Sequence, residues 1–173
     1  SINIDEPFIV FAVPQYYEQG DMSIKEHWEL IESYIKAIKI LKVNLLLSLH
    51  PRMVYEDYKF LEEKYKCIIV NENLSNFIGC ADIYIATSST TLNWSILCDI
   101  PTIAVYGKSY YYEHLKSINS EFDSNKLPDL IKKILKNNQS TYKEDSLKLS
   151  RDEVFFGKSL DLHYKIFKNQ IKK

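Results

Sequence analysis

Two short segments combine residue types that can grip phosphate. His50-Pro51-Arg52 ends the apolar run 43–49. There proline fixes the backbone, an imidazole N–H can donate to a phosphate oxygen, and a guanidinium offers a forked, charged donor pair. Thr87-Ser88-Ser89-Thr90-Thr91 leaves the apolar run 83–86 and enters a helical pattern. That places hydroxyls and backbone N–H groups at the positive end of a helix dipole. Each segment alone has an ordinary explanation, because hydroxyl residues are the preferred helix caps and a strand-end histidine is usually structural. On one edge of one sheet they are better explained together, as a phosphate or pyrophosphate clamp made by His50, Arg52, Ser88, Ser89, Thr90 and Thr91.

Asn71, Glu72 and Asn73, after the run 67–70, carry amide and carboxylate groups suited to a nucleobase edge or ribose hydroxyls, although each is also a turn former. Tyr110, Tyr111 and Tyr112 could stack on a base or cover a sugar, or else pack beneath the C-terminal segment. No Asp-x-Asp pair occurs, and Cys67, Cys80 and Cys98 lack metal-ligand spacing. No metal and no permanently bound cofactor is expected. The three cysteines read as reduced core residues of a cytoplasmic protein.

The elements that must position these loops follow from periodicity. Near-continuous apolar runs of strand length at 7–13, 43–49, 67–70, 83–86 and 102–106 read as parallel strands buried on both faces. Between them lie helical patterns at 23–42, 55–64, 74–80 and 91–98. The first opens on Ser23 with Glu26 three residues later, a capping box, and repeats Ile24, Trp28, Ile31, Ile35 and Ile38 at helical spacing. Strand-helix alternation predicts an α/β fold with a doubly wound, Rossmann-like parallel sheet of five strands. Ligands of such sheets sit outside the carboxyl ends of the strands. After Gly107 the strand signal fades into a helical tail, strongest at 127–135 and 154–171. The expected organisation is a core over 1–125 with the tail 126–173 packed on the same domain.

The chain's 173 residues and 46% apolar content suit one such domain. With 22 Lys+Arg against 23 Asp+Glu, the net charge of −1 leaves no electrostatic footprint for nucleic acid. No apolar run approaches the roughly 18 residues of a membrane span, and the N-terminus lacks a signal peptide's basic start. The aromatic, Lys-rich last segment leaves room for peripheral membrane association but reads first as a docked amphipathic helix. A first residue other than Met and a strand starting almost at once give the expectation of a fragment.

The stretch "LLLSLHPRM" through "IIVNENLSNFIGCADIYIATSSTTLNWSILCDIPTIAVYG" resembles the C-terminal nucleotide-sugar domain of GT-B glycosyltransferases and the related UDP-N-acetylglucosamine 2-epimerases. The likeness covers about residues 7–110. The pairing of "HP" with a later "SS" is also similar to bacterial sialyltransferases, where His and Ser/Thr engage the phosphate of a CMP-sugar. The resemblance implies a UDP- or CMP-sugar donor in cell-surface polysaccharide or glycolipid synthesis. It makes His50 the candidate catalytic residue and implies a missing N-terminal acceptor domain or partner subunit. Chemistry would then be electrostatic stabilisation of the leaving phosphate. The segment "SSTTLNW" lacks the Gly-rich acidic loop of the epimerases. Asn93 and Ser95 stand where many retaining enzymes carry a Glu. An epimerase-like isomerase or hydrolase and a non-catalytic α/β binding domain are the alternatives.

Overall fold

A computed structural model describes residues 2–87, 89–106 and 118–137. The strands are β1 (Phe8–Ala12), β2 (Asn44–Ser48), β3 (Ile68–Val70), β4 (Ile83–Ala86), β5 (Thr102–Ala104) and β6 (Ile118–Ser120). The helices are α1 (Ile24–Lys39), α2 (Tyr55–Tyr58), α3 (Phe60–Tyr65), α4 (Leu74–Phe77), α5 (Thr91–Leu97) and α6 (Leu127–Asn137). A 3-10 turn, Ile78–Cys80, follows α4. All strands pair in parallel, in the order β3-β2-β1-β4-β5-β6.

The apolar runs divide their side chains between two faces, as a period of two requires. Ile9, Phe11, Leu45, Leu47, Ile83 and Ile85 join one buried cluster with Ile31, Ile35 and Ile38 of α1 and with Leu127 and Ile131 of α6. Val10, Leu46, Tyr84 and Ala86 join a second with Ile78 and Leu92. Two cores on opposite faces of one parallel sheet make the fold doubly wound. α1 starts on the expected capping box: Ser23 Oγ accepts from the Glu26 N–H at 3.3 Å, and Glu26 Oε2 accepts from the Ser23 N–H at 2.9 Å. Its apolar stripe is buried from Ile31 onward, whereas Ile24, in the first turn, is exposed.

The sheet has a sixth strand that the sequence reading lacks. β6 is three residues, Ile118-Asn119-Ser120, half-buried beside β5, and too short and polar to show a strand pattern. The 55–64 helix is two pieces meeting at Lys59. Cys67 is buried, and burial pushes its thiol up to about 11, which keeps it protonated and unreactive at neutral pH. Cys80 departs from the core expectation. It lies exposed in the 3-10 turn, where the neighbouring Ile78 takes the buried position. The expected tail helix at 154–171 lies outside the described residues.

Candidate functional site

The strand order places a topological switch point between β1 and β4: the chain winds outward from β1 to β2 and β3, then returns to β4 on the other side. At such a point the loops leaving the two central strands diverge to opposite faces and open a crevice at the carboxyl edge. The described residues that follow these two strands are 13–23 after β1 and 87, 89 and 90 after β4. Because every strand is parallel, the His50 loop shares this edge. It sits two strands from β4, about 10 Å at a strand spacing near 4.8 Å. Asn71 and Glu72 follow β3, one strand farther out.

At the β4 wall three hydroxyls form a connected cluster. Tyr84 Oη, from within the strand, lies 2.5 Å from Thr91 Oγ1, and Ser89 Oγ lies 2.7 Å from the same atom. Ser89 Oγ also accepts from the Thr91 N–H at 3.3 Å. The Leu92 and Asn93 N–H groups donate to the carbonyls of Ser89 and Thr90 at 3.1 Å each. The first turn therefore presents fewer backbone donors than the sequence suggested, and hydroxyls make up more of the polar surface. Thr90 holds the cap position of α5 without a side-chain bond to the helix and is exposed, so capping does not consume its hydroxyl. Ser88 lies outside the described residues, as do Tyr110, Tyr111 and Tyr112.

The His50 loop is a tight turn in which the Met53 N–H donates to the His50 carbonyl at 2.8 Å. The Arg52 N–H donates to His50 Nδ1 at 3.2 Å. A ring nitrogen that accepts carries no proton, so the neutral imidazole keeps its proton on Nε2 as a donor. Pro51 and Arg52 are exposed with His50, whereas Met53 is buried and anchors the turn. Asn71, Glu72 and Asn73 are exposed, and Glu72 accepts from Asn76 Nδ2 at 3.3 Å.

The structure adds residues that the sequence reading passed over. Tyr16, in the loop after β1, lies beside the side chain of Thr87; burial raises the Tyr16 hydroxyl pKa and outweighs the lowering influence of Thr87. Its ring meets Tyr106 edge to face, with centroids 5.4 Å apart. Tyr106 follows β5 with φ 45, a left-handed conformation seldom adopted by a bulky residue, and is 40% exposed. Three loops thus meet over the end of β4. The signal available in the sequence was the switch-point rule itself, which favours the loop "PQYYEQGD" over those after β2 and β3. Asn93 Oδ1 in α5 is buried without a hydrogen-bond partner. Among the described residues no group of three His, Cys, Asp or Glu is placed to hold a metal ion. Nor is any helix among them long and apolar enough to cross a membrane.

An open parallel sheet of order 3-2-1-4-5-6 with its switch point between β1 and β4 defines the class as Rossmann-like α/β. Within that class its fold is similar to that of solved glycosyltransferases. Spinosyn rhamnosyltransferase SpnG, complexed with thymidine diphosphate, superposes with TM-score 0.61 at 11% identity, over 86% of this chain and 42% of its own. E. coli heptosyltransferase WaaC with ADP-2-deoxy-2-fluoro heptose gives 0.53 at 16% identity, over 80% and 46%. The catalytic domain of the Helicobacter pylori cholesterol-alpha-glucosyltransferase gives 0.52 at 15% identity, over 94% and 99%. The chain therefore spans less than half the length of the first two. No protein-family model and no curated protein matches the sequence.

Proposed function

We propose that this chain is the donor-binding half of a glycosyltransferase, holding the nucleoside diphosphate or monophosphate of an activated sugar across the β1/β4 switch point. The observation that carries the reading is the hydroxyl cluster of Ser89 and Thr91 at the β4 wall, with a turn-fixed His50 donor on the same edge. The nucleotide ligands of the SpnG and WaaC structures favour the same ligand class. His50 Nε2–H, the Arg52 guanidinium, and the hydroxyls of Ser88, Ser89, Thr90 and Thr91 donate to phosphate oxygens. Asn71 and Glu72 lie toward the nucleoside side. As the sugar carbon–oxygen bond breaks, negative charge builds on the leaving phosphate, and these fixed donors stabilise it. A UDP- or CMP-sugar used on a cytoplasmic surface-polysaccharide or glycolipid acceptor is the donor and pathway proposed, with the acceptor held by a second domain or subunit.

A thermal-shift screen with UDP, CMP, TDP, ADP and GDP and their sugars tests ligand class. Titration of the best ligand into His50→Ala and Ser89→Ala then tests the residues. Each change should weaken binding by roughly 1–3 kcal/mol, the usual worth of a hydrogen bond to a charged group. His50 is exposed and bonds only within its own turn, so His50→Ala should leave the melting temperature almost unchanged. Unaltered affinity with lowered stability would reduce both residues to structural roles.

A further inference from the structure

A buried polar chain beside the crevice has no part in the donor reading. His27, on the inner face of α1, is fully buried. Its Nε2 lies 2.9 Å from Tyr58 Oη in α2, and Tyr58 Oη lies 2.5 Å from Glu18 Oε1 in the loop after β1. The single phenolic proton goes to the Glu18 carboxylate, so Tyr58 accepts from His27. That fixes His27 as the Nε2–H tautomer. Its Nδ1 is then a buried acceptor, and it has no hydrogen-bond partner. An unmet buried acceptor costs free energy that an apolar side chain at this position would not. What the histidine adds is the one N–H that reaches Tyr58. Trp28 packs against both rings, at 5.2 Å from His27 and 5.0 Å from Tyr58.

Glu18 is joined to Tyr16 by a compact turn. The Gln19 N–H donates to the Gln15 carbonyl, Gly20 to Tyr17 and Asp21 to Tyr16, at 2.8–3.0 Å. Gly20 supports that turn with φ 80, which glycine adopts without strain. Whatever holds Glu18 therefore also holds Tyr16, two residues earlier, which lies beside Thr87 at the β4 wall and packs edge to face on Tyr106.

We propose that Glu18, Tyr58 and His27 form a positioning relay that holds the loop after β1, and with it Tyr16, against the end of β4, so that a ligand meets a preformed crevice wall. The identity of that ligand rests on the donor reading, whereas the holding of the loop does not. The test compares Tyr58→Phe, which keeps the ring and removes both bonds, with Glu18→Ala, and with Glu18→Gln, which keeps an acceptor. Backbone amide exchange of residues 16–21 and affinity for UDP and TDP are measured in each. Tyr58→Phe and Glu18→Ala should speed loop exchange and weaken binding, each by about tenfold, equivalent to roughly 1.4 kcal/mol. Glu18→Gln should stay near wild type, and a ¹⁵N spectrum of the wild type should show His27 protonated on Nε2 alone. Unchanged loop exchange in Tyr58→Phe and Glu18→Ala, faster exchange with unchanged affinity, or an Nδ1–H tautomer overturns the relay. If wild type binds neither, affinity is measured with the best nucleotide among CMP, ADP and GDP; if it binds none of the five, the donor reading fails, and loop exchange and the tautomer alone decide the relay.

Discussion

Thr91 Oγ1 receives two hydroxyl neighbours, Tyr84 and Ser89, within 2.7 Å, so the hydroxyl protons in the cluster must be shared in a fixed order. Tyr84 is fully buried, and Tyr84→Phe keeps its ring while removing the innermost bond. Denaturant unfolding should show a loss of about 1 kcal/mol, the net worth of one such bond. His27 makes a second prediction at this scale. Burial lowers its pKa below 6.5, and the Glu18 charge opposes that shift only in part. The groups facing it are Glu18 and Tyr17 from the loop, Tyr58 from α2 with Asp57 beside it, and the Trp28 ring. Above the unfolded-state pKa both states are neutral and the contribution is complete. As pH falls, the unfolded chain takes up the proton first, and stability is lost until the folded pKa is passed. Unfolding free energy should therefore decline from about pH 6.5 downward in wild type. It should decline less over that range in His27→Gln.

α1 shows which elements are written locally and which are not. Its capping box and isoleucine stripe depend on spacings of three and four residues, so both are readable in the sequence and both form. Ser23→Ala should cost about 1 kcal/mol in an unfolding titration, the usual loss for an N-cap hydroxyl. The five apolar runs became strands β1 to β5 because burial on both faces leaves them little else to be. β6 could not be read in this way: three residues at a sheet edge have no period, and only pairing with β5 makes them a strand. The site divides along the same line. The hydroxyl run and the His50 turn are contiguous and legible. The Tyr16–Thr87–Tyr106 meeting and the Glu18–Tyr58–His27 chain join residues up to 90 positions apart, and only strand order brings them together. α6 is a further check on packing. Ile131 is fully buried in the cluster shared by α1 and the sheet, so Ile131→Ala should lower stability by roughly 2–5 kcal/mol. A much smaller loss would mean that α6 is dispensable to the core.

At the scale of the whole molecule, the donor-binding proposal makes the described residues one wall of a cleft. The switch-point loops form a polar edge, and the first two structural neighbours named above are more than twice the length that this chain covers. Group transfer needs more than donor binding. The acceptor hydroxyl must be held within reach of the sugar carbon, and water must be kept from competing. Positioning of that kind is worth roughly 7–11 kcal/mol of barrier in well-oriented systems. A donor-binding half bound to its nucleotide sugar lacks that term. The 173-residue chain should therefore bind nucleotide while showing transfer no faster than slow hydrolysis of the donor. The Helicobacter pylori structure matched over 99% of its length is the catalytic domain of its enzyme, which makes the opposite outcome a concrete alternative. The measurement is donor consumption, followed with and without a lipid or oligosaccharide acceptor. Acceptor-independent breakdown alone fits a half-site, and breakdown that speeds only when a second domain is added fits it better. Acceptor-dependent turnover by this chain alone would place the acceptor site on these same residues and remove the need for a second wall.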